Sequence, residues 1–256
     1  THLYPTKVAV SLTGSRDGIC AIDDNGMLFG YCYYLDSDTS YLSVSANWYR
    51  EQSHICGLMS NFTIHCKMTN TLGESVYYPY DIYQSYDGDI ENDGAYNNLS
   101  ISISMGANHV CWNTVHYSPL DMDNWGKSTL KCKGYYVDSV GNYHNFNTVL
   151  SDVIAFSSGE KHSCAIIING SVICWGNNYY GQLGQESSWR YDGTIPKNSL
   201  NPIHVNLPEG VIANAVYTSN DETCIVSSLG DLFCWGGDSY DAPIQQVDFG
   251  KKISLM

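Results

Sequence analysis

An all-β fold assembled from about five similar units is what this sequence predicts, and three observations predict it. Charged residues make up only 15% of the 256 positions, and the polar remainder is mostly Ser, Thr, Asn, Gly and Tyr. That composition is poor in helix formers and rich in strand and turn formers. Short alternating or apolar runs such as KVAVSL, LSISISM, CAIIIN and SVICW recur between turn residues, without long stripes at a 3.6-residue period. Ten cysteines fall into five pairs whose first members stand 36, 55, 53 and 60 residues apart, near the length of a four-stranded propeller blade.

Each unit opens on a strand-like run and continues into a cysteine hairpin. The first, at about 4–38, carries KVAVSL and the pair Cys20 and Cys32. The second, at 39–80, carries YLSVSA, Cys56 and Cys66; the third, at 96–145, carries LSISIS, Cys111 and Cys132. The fourth, at 148–190, has DVIAFS with Cys164 and Cys174, and the fifth, at 201–240, has VIANAV with Cys224 and Cys234. The final stretch 248–256, ending KKISLM, parallels these opening runs and is expected to be an extra strand with no hairpin of its own.

Spacing tests whether the paired cysteines can meet. With a three-residue loop Ile168-Asn169-Gly170 and Gly170 in the left-handed conformation, residues 167 and 171 pair, and counting outward sets Cys164 opposite Cys174. Directly opposed, non-hydrogen-bonded residues lie about 4.5 Å apart at Cα, a span a disulfide bridges. The SLG at 228–230 repeats the logic for Cys224 and Cys234. In the first unit Asp24-Asn25-Gly26 puts Gly30, not Cys32, opposite Cys20, so that pair needs a local irregularity or other partners. The 21-residue separation of Cys111 and Cys132 implies an insertion around HYSPLDMDNWGKS. Zinc knuckles want cysteines two to four residues apart, and none of these pairs is so close. His54, His109 and His162 stand two positions before their cysteines, where a repeated histidine is expected to bond neighbouring backbone rather than join a metal ring.

The stretch SSGEKHSCAIIINGSVICWGNNYYGQLGQ resembles a repeat of the regulator of chromosome condensation family. Gly159, His162, Ala165, Gly170, Val172, Trp175, Gly176, Asn178, Gly181, Gln182, Leu183 and Gly184 carry the resemblance. The fifth unit keeps GDLFCWG, and the others keep mainly cysteines, strand pattern and a histidine or glycine. The resemblance implies a β-propeller, here of about five blades, incomplete or completed by a neighbouring subunit. Its cysteine-bearing form is similar to repeats of secreted and surface proteins and of crinkly-type receptor ectodomains. The nuclear member's nucleotide-exchange and chromatin roles are not carried over, because no surface feature for them is legible.

Charge and cysteines bound the setting. A formal charge of −14, from 26 acidic against 12 basic residues, repels a phosphate backbone, so nucleic acid is not an expected partner. No apolar run reaches the length of a membrane helix, and the chain, which begins at Thr1, reads as processed or truncated and soluble. Five cysteine pairs point to an oxidising compartment, hence an extracellular or cell-surface protein. Three sequons agree, at Asn61, Asn98 and Asn169, and both Asn61 and Asn169 fall five residues after a first cysteine, at an expected hairpin tip.

Two loop features are candidate binding sites. Tyr77, Tyr78, Tyr80, Tyr83 and Tyr86 either pack between blades or anchor a partner, a glycan or a surface protein among them. Asp87, Asp89, Glu91 and Asp93 alternate like a calcium loop, yet position twelve from Asp89 is Ser100, and a solvated acidic loop is the simpler reading. Calcium is thus the one cofactor candidate. No catalytic motif is present, so an enzyme is not expected. The expected function is structural or adhesive: an extracellular propeller whose terminal strand 248–256 pairs with the next subunit, since head-to-tail pairing without closure makes a filament. A monomeric recognition module for carbohydrate or protein is the alternative.

Overall fold

The computed structural model describes residues 9–15, 18–30, 32, 35, 37–49, 52–60, 64–69, 98–116, 126–137, 141–184, 198–237, 244–248 and 250–254. Among them every regular element is a strand. The first sheet runs β1 (Ala9–Ser15), β2 (Gly18–Asp23), β3 (Leu28–Gly30), and the second β4 (Tyr41–Tyr49), β5 (Gln52–Met59), β6 (Ile64–Thr69). The third contains β7 (Asn98–Met105), β8 (His109–His116), β9 (Ser128–Val137) and β10 (Tyr143–Ser151), in the order β10-β9-β8-β7. The fourth contains β11 (Val153–Ser158), β12 (His162–Ile167), β13 (Val172–Gly176) and β14 (Ser199–His204). The fifth repeats that order with β15 (Ala213–Thr218), β16 (Glu222–Ser227), β17 (Leu232–Gly236) and β18 (Gln245–Val247). These are five antiparallel sheets of propeller-blade type.

Hairpin registers follow from local turn chemistry. Ile167 and Ser171 close the fourth-sheet tip, Gly170 takes φ 79°, and Cys164 pairs with Cys174. The fifth sheet does the same with Cys224 and Cys234. Disulfides join these two pairs and Cys56 to Cys66 at Cα separations of 4.0 to 4.1 Å. In the first sheet Gly30 stands opposite Cys20, and Cys32 bonds the Cys20 sulfur from beyond the strand end, with the two Cα atoms 4.9 Å apart. Cys111 bonds Cys132 although they stand 21 positions apart, because the insertion is confined to the connection between β8 and β9.

Each opening strand outside the third sheet carries one irregularity at the same place. The register shifts between Ala9 and Ser11, Tyr41 and Ser43, Val153 and Ala155, and Ala213 and Ala215. A bulge there turns the second residue outward, and Leu42 and Ile154 are exposed accordingly. The first residue of the strand stays inside: Tyr41, Val153 and Ala213 are buried.

The chain divides into two compact units, residues 1–105 with 112–127, and residues 106–111 with 128–256. In the first, Cys20, Ile22, Leu35, Tyr41, Val44 and Ile55 form the core. Here Thr13 Oγ1 accepts from the N–H of Ala46 at 2.8 Å, and Ser45 Oγ accepts from the N–H of Met105 at 2.9 Å. In the second unit Ser157 Oγ accepts from the N–H of Thr218 at 3.0 Å. Thr13, Ser45 and Ser157 all stand opposite the first cysteine of their sheets. A small hydroxyl residue at that position therefore ties one opening strand to the next. The second unit's cores contain Cys111, Cys132, Phe146 and Trp175, and Ile166, Val172, Leu183, Ile225 and Trp235.

Candidate functional site

Within the second unit the best-ordered chemistry is buried between successive sheets. His162 begins β12 and is fully enclosed; its Nε2 lies 2.8 Å from Thr223 Oγ1. Thr223 spends its only hydroxyl proton on the carbonyl of Gln182, 2.9 Å away, so His162 must donate from Nε2. Its Nδ1 then holds a lone pair and meets no partner. Gly159 makes room for this ring, since a Cβ there would lie 2.8 Å from Nδ1. His109 repeats the arrangement on Ser163, with Nε2 to Oγ at 2.8 Å and Ser163 Oγ donating to Ser158 Oγ at 3.0 Å. Both hydroxyls also approach the first cysteine sulfur, Cys111 at 3.5 Å and Cys164 at 3.7 Å.

Burial decides the charge of these rings. It pulls the imidazole of His162 down from 6.5 to about 3, and that of His109 likewise, with the neighbouring His162 adding a smaller push. Neutral, enclosed and committed to hydroxyls, neither ring reaches solvent or a substrate. Each histidine thus meets a side-chain hydroxyl of the next sheet, and His109 also interacts with the backbone of His162, so the expected backbone bond is joined by a side-chain one. The side chain of His54 lies outside the described residues.

The loop Gly181-Gln182-Leu183-Gly184 plugs the fifth sheet. Leu183 is buried against Val205 and Trp235, and the Gln182 carbonyl accepts both Thr223 Oγ1 and Trp235 Nε1, the latter at 3.0 Å. The Gln182 side chain donates to Asn177 Oδ1 at 3.1 Å and Asp221 Oδ1 at 3.2 Å. Asn178 Oδ1 holds the loop by accepting from the N–H of Leu183 at 2.9 Å. The residues that carry the family resemblance are therefore a latch between sheets.

An open recess of about 440 Å³ lies on the fifth sheet, lined by Gly230, Asp231, Leu232, Gln246, Val247 and Ile253 among others. Asp231 Oδ1 accepts from Gln246 Nε2 at 2.9 Å and pairs with Lys252 Nζ. Ile253 donates its N–H to the carbonyl of Gly230 at 2.9 Å. The same bond joins Ala213 to Gly170 and Tyr41 to Gly26, where the donor is the first residue of an opening strand. Ile253 thus makes the backbone bond that the first residue of an opening strand makes in other sheets, but residues 250–254 form no strand where the sequence suggests an extra one.

Of the sequence-predicted site residues, Asn169 is exposed at the tip of the fourth-sheet hairpin and Asn98 begins β7. Asn61, the tyrosines Tyr77 to Tyr86 and the carboxylates Asp87, Asp89, Glu91 and Asp93 lie outside the described residues. Among the described residues no group of three His, Cys, Asp or Glu side chains could hold a metal, and no helix is long and apolar enough to cross a membrane. Ser163 and Thr223 escaped the sequence reading. Their signal is a hydroxyl residue directly before the first cysteine, one repeat after a histidine at the position before that.

Residues 153–182 and 169–224 match the Regulator of chromosome condensation (RCC1) repeat. The ultraviolet-B receptor UVR8 of Arabidopsis thaliana is 28% identical over 149 residues, which cover 55% of this chain and 30% of the receptor. Among solved structures, human WBSCR16 superposes with a TM-score of 0.57 at 14% identity, over 96% of this chain and 68% of that one. Yeast RCC1 (Prp20), solved with Kap60 bound, gives 0.54 at 14% identity, over 93% and 63%. At that identity the two structures show the fold alone. Residues 153–224 thus carry repeats that match this family's, and the chain has a β-propeller fold.

Proposed function

We propose that this propeller, built from repeats of the regulator of chromosome condensation family, is an extracellular structural protein that associates with further copies of itself. One observation carries the association: Ile253 makes the backbone bond to Gly230 that Ala213 makes to Gly170. A strand begun at Ile253 would present an edge suited to a strand of a second copy, as well as to further chain of its own. With a second copy, repetition of the same contact from copy to copy builds a filament. The exposed Lys252 pairs with Asp231 of the fifth sheet. Five disulfides, with no free cysteine, support the extracellular placement.

Sedimentation of the whole chain across a range of concentrations tests the association. Reversible growth in mass is expected, lost on deleting residues 250–256 or in Ile253→Asp. A single monomeric species at every concentration removes this reading.

One observation favours a recognition role as the second reading. In the fifth sheet the position opposite the first cysteine holds Tyr217 instead of a small hydroxyl residue, and this tyrosine is 54% exposed. An amphipathic ring presented there is suited to a protein or carbohydrate partner. Loss of binding in Tyr217→Ala, with the chain still monomeric, would distinguish it.

A further inference from the structure

We propose that Asn169 carries an N-linked glycan whose first sugars cover the exposed side chains of Ile168 and Ile212. The inference rests on the extracellular placement proposed above. Asn169, Gly170 and Ser171 form the sequon, and the backbone presents it outward. Ile167 and Gly170 close the turn at 2.8 Å, Ser171 returns the chain to β13, and Asn169 projects from the tip. The Asn169 Oδ1 accepts from the N–H of Ser171 at 2.9 Å, an Asx turn that fixes the amide relative to the hydroxyl residue of its own sequon. Its Nδ2 meets no partner among the described residues, and the residue is exposed.

Comparison with the other tips sharpens the assignment. Asn25 holds the equivalent place in the first sheet, but its Nδ2 donates to Asp24 Oδ1 at 3.1 Å, and two residues on stands Met27. The fifth sheet has Leu229 there. Asn98 is a strand residue at the start of β7. Asn169 alone among the described residues combines a sequon, an exposed turn and a free amide nitrogen.

The surroundings give the glycan a task. Ile168 is 75% exposed and Ile212 is 52% exposed. A methyl group of Ile212 occupies the space into which a Cβ on residue 170 would project, so it lies beside the sequon. Large apolar side chains grouped at a tip invite association unless covered. The apolar face of an N-acetylglucosamine attached at Asn169 is suited to lie across them. In the attachment, Nδ2 forms a bond to C1 of a sugar donated by a lipid-pyrophosphate-linked oligosaccharide. The C1–O bond to the pyrophosphate breaks, the lipid pyrophosphate leaves, and the amide nitrogen loses one proton.

The native protein, purified from its source, tests this with two measurements on one sample: thiol titration under denaturing conditions, and mass spectrometry of the intact peptide containing Asn169. Intact glycopeptide is the readout, because an exposed Asn-Gly also deamidates unaided. Absence of free thiols together with a hexosamine-bearing Asn169 is expected. Bonded cysteines with an unmodified Asn169 peptide would overturn the glycan and leave the extracellular placement standing. Free thiols throughout would overturn both. For the covering role, enzymatic removal of the glycan from the folded protein should raise binding of an apolar dye, and the rise should be lost in the Ile168→Ser, Ile212→Ser double variant. Unchanged dye binding after removal overturns it.

Discussion

His162 Nε2 and Thr223 Oγ1 meet at 2.8 Å in the fully buried seam between the fourth and fifth sheets. The two residues are 61 positions apart in the chain. Because the threonine proton goes to Gln182, the histidine is held as the Nε2–H tautomer, and one hydroxyl organises three segments.

Replacing Thr223 by Val keeps the shape and removes the hydroxyl. The His162 N–H is then buried without an acceptor, and stability should fall by about 1–3 kcal/mol. Thr223→Ser should recover most of it. Urea unfolding with the disulfides intact is the measurement; equal stability of the valine variant and the parent would contradict the latch.

Acid should weaken the protein well before its carboxylates dominate. The folded imidazoles of His109 and His162 do not protonate until about pH 3, whereas in the unfolded chain they do so near 6.5. The unfolded state therefore binds more protons as pH falls below 6.5, and the stability present above that value is lost progressively down to about 3. From about pH 7.5 to 5 each ring should cost roughly 2 kcal/mol. His162→Gln should abolish about half of the slope, measured as urea midpoint against pH.

Leu183 is wholly buried in the core of the fifth sheet, at the end of the Gly-Gln-Leu plug. Leu183→Ala should cost about 2–5 kcal/mol through the cavity it leaves. Native-state hydrogen exchange should locate the loss in β15 to β17 (Ala213–Gly236). Protection unchanged there would mean that the plug does not hold the sheet.

Converting Cys224 and Cys234 together to Ala opens a ten-residue loop. Loop entropy predicts a loss of about 3 kcal/mol, with the hairpin register retained because Gly230 and the turn bonds remain. Thermal unfolding of the variant gives the size of the effect, and an unchanged midpoint would assign the bond no stabilising role.

What could be read in advance was local. Cys164 faces Cys174 because a three-residue loop with Gly170 sets the register over ten residues, and that geometry is written in consecutive positions. Gly30 opposite Cys20 follows by the same count. Asn169 could be assigned to a tip for the same reason. The bulge after Ala9, Tyr41, Val153 and Ala213 was not legible, since it answers to packing of each opening strand beneath its neighbour and leaves no fixed residue type.

The chain by itself determined most of the strands, the hairpin turns, the cysteine partners of the ten-residue hairpins and the repeat, because each depends on residues close in sequence whose conformational preferences agree. Only the tertiary structure decided what the repeated residues do. His109 and His162 were expected to bond neighbouring backbone, and only the structure brought Ser163 and Thr223 beside them from 54 and 61 residues away. Ile253 belonged to an expected extra strand, and only the structure showed its N–H meeting the carbonyl of Gly230. Those roles arise from burial and from partners in the next sheet, and neither is encoded at the position itself.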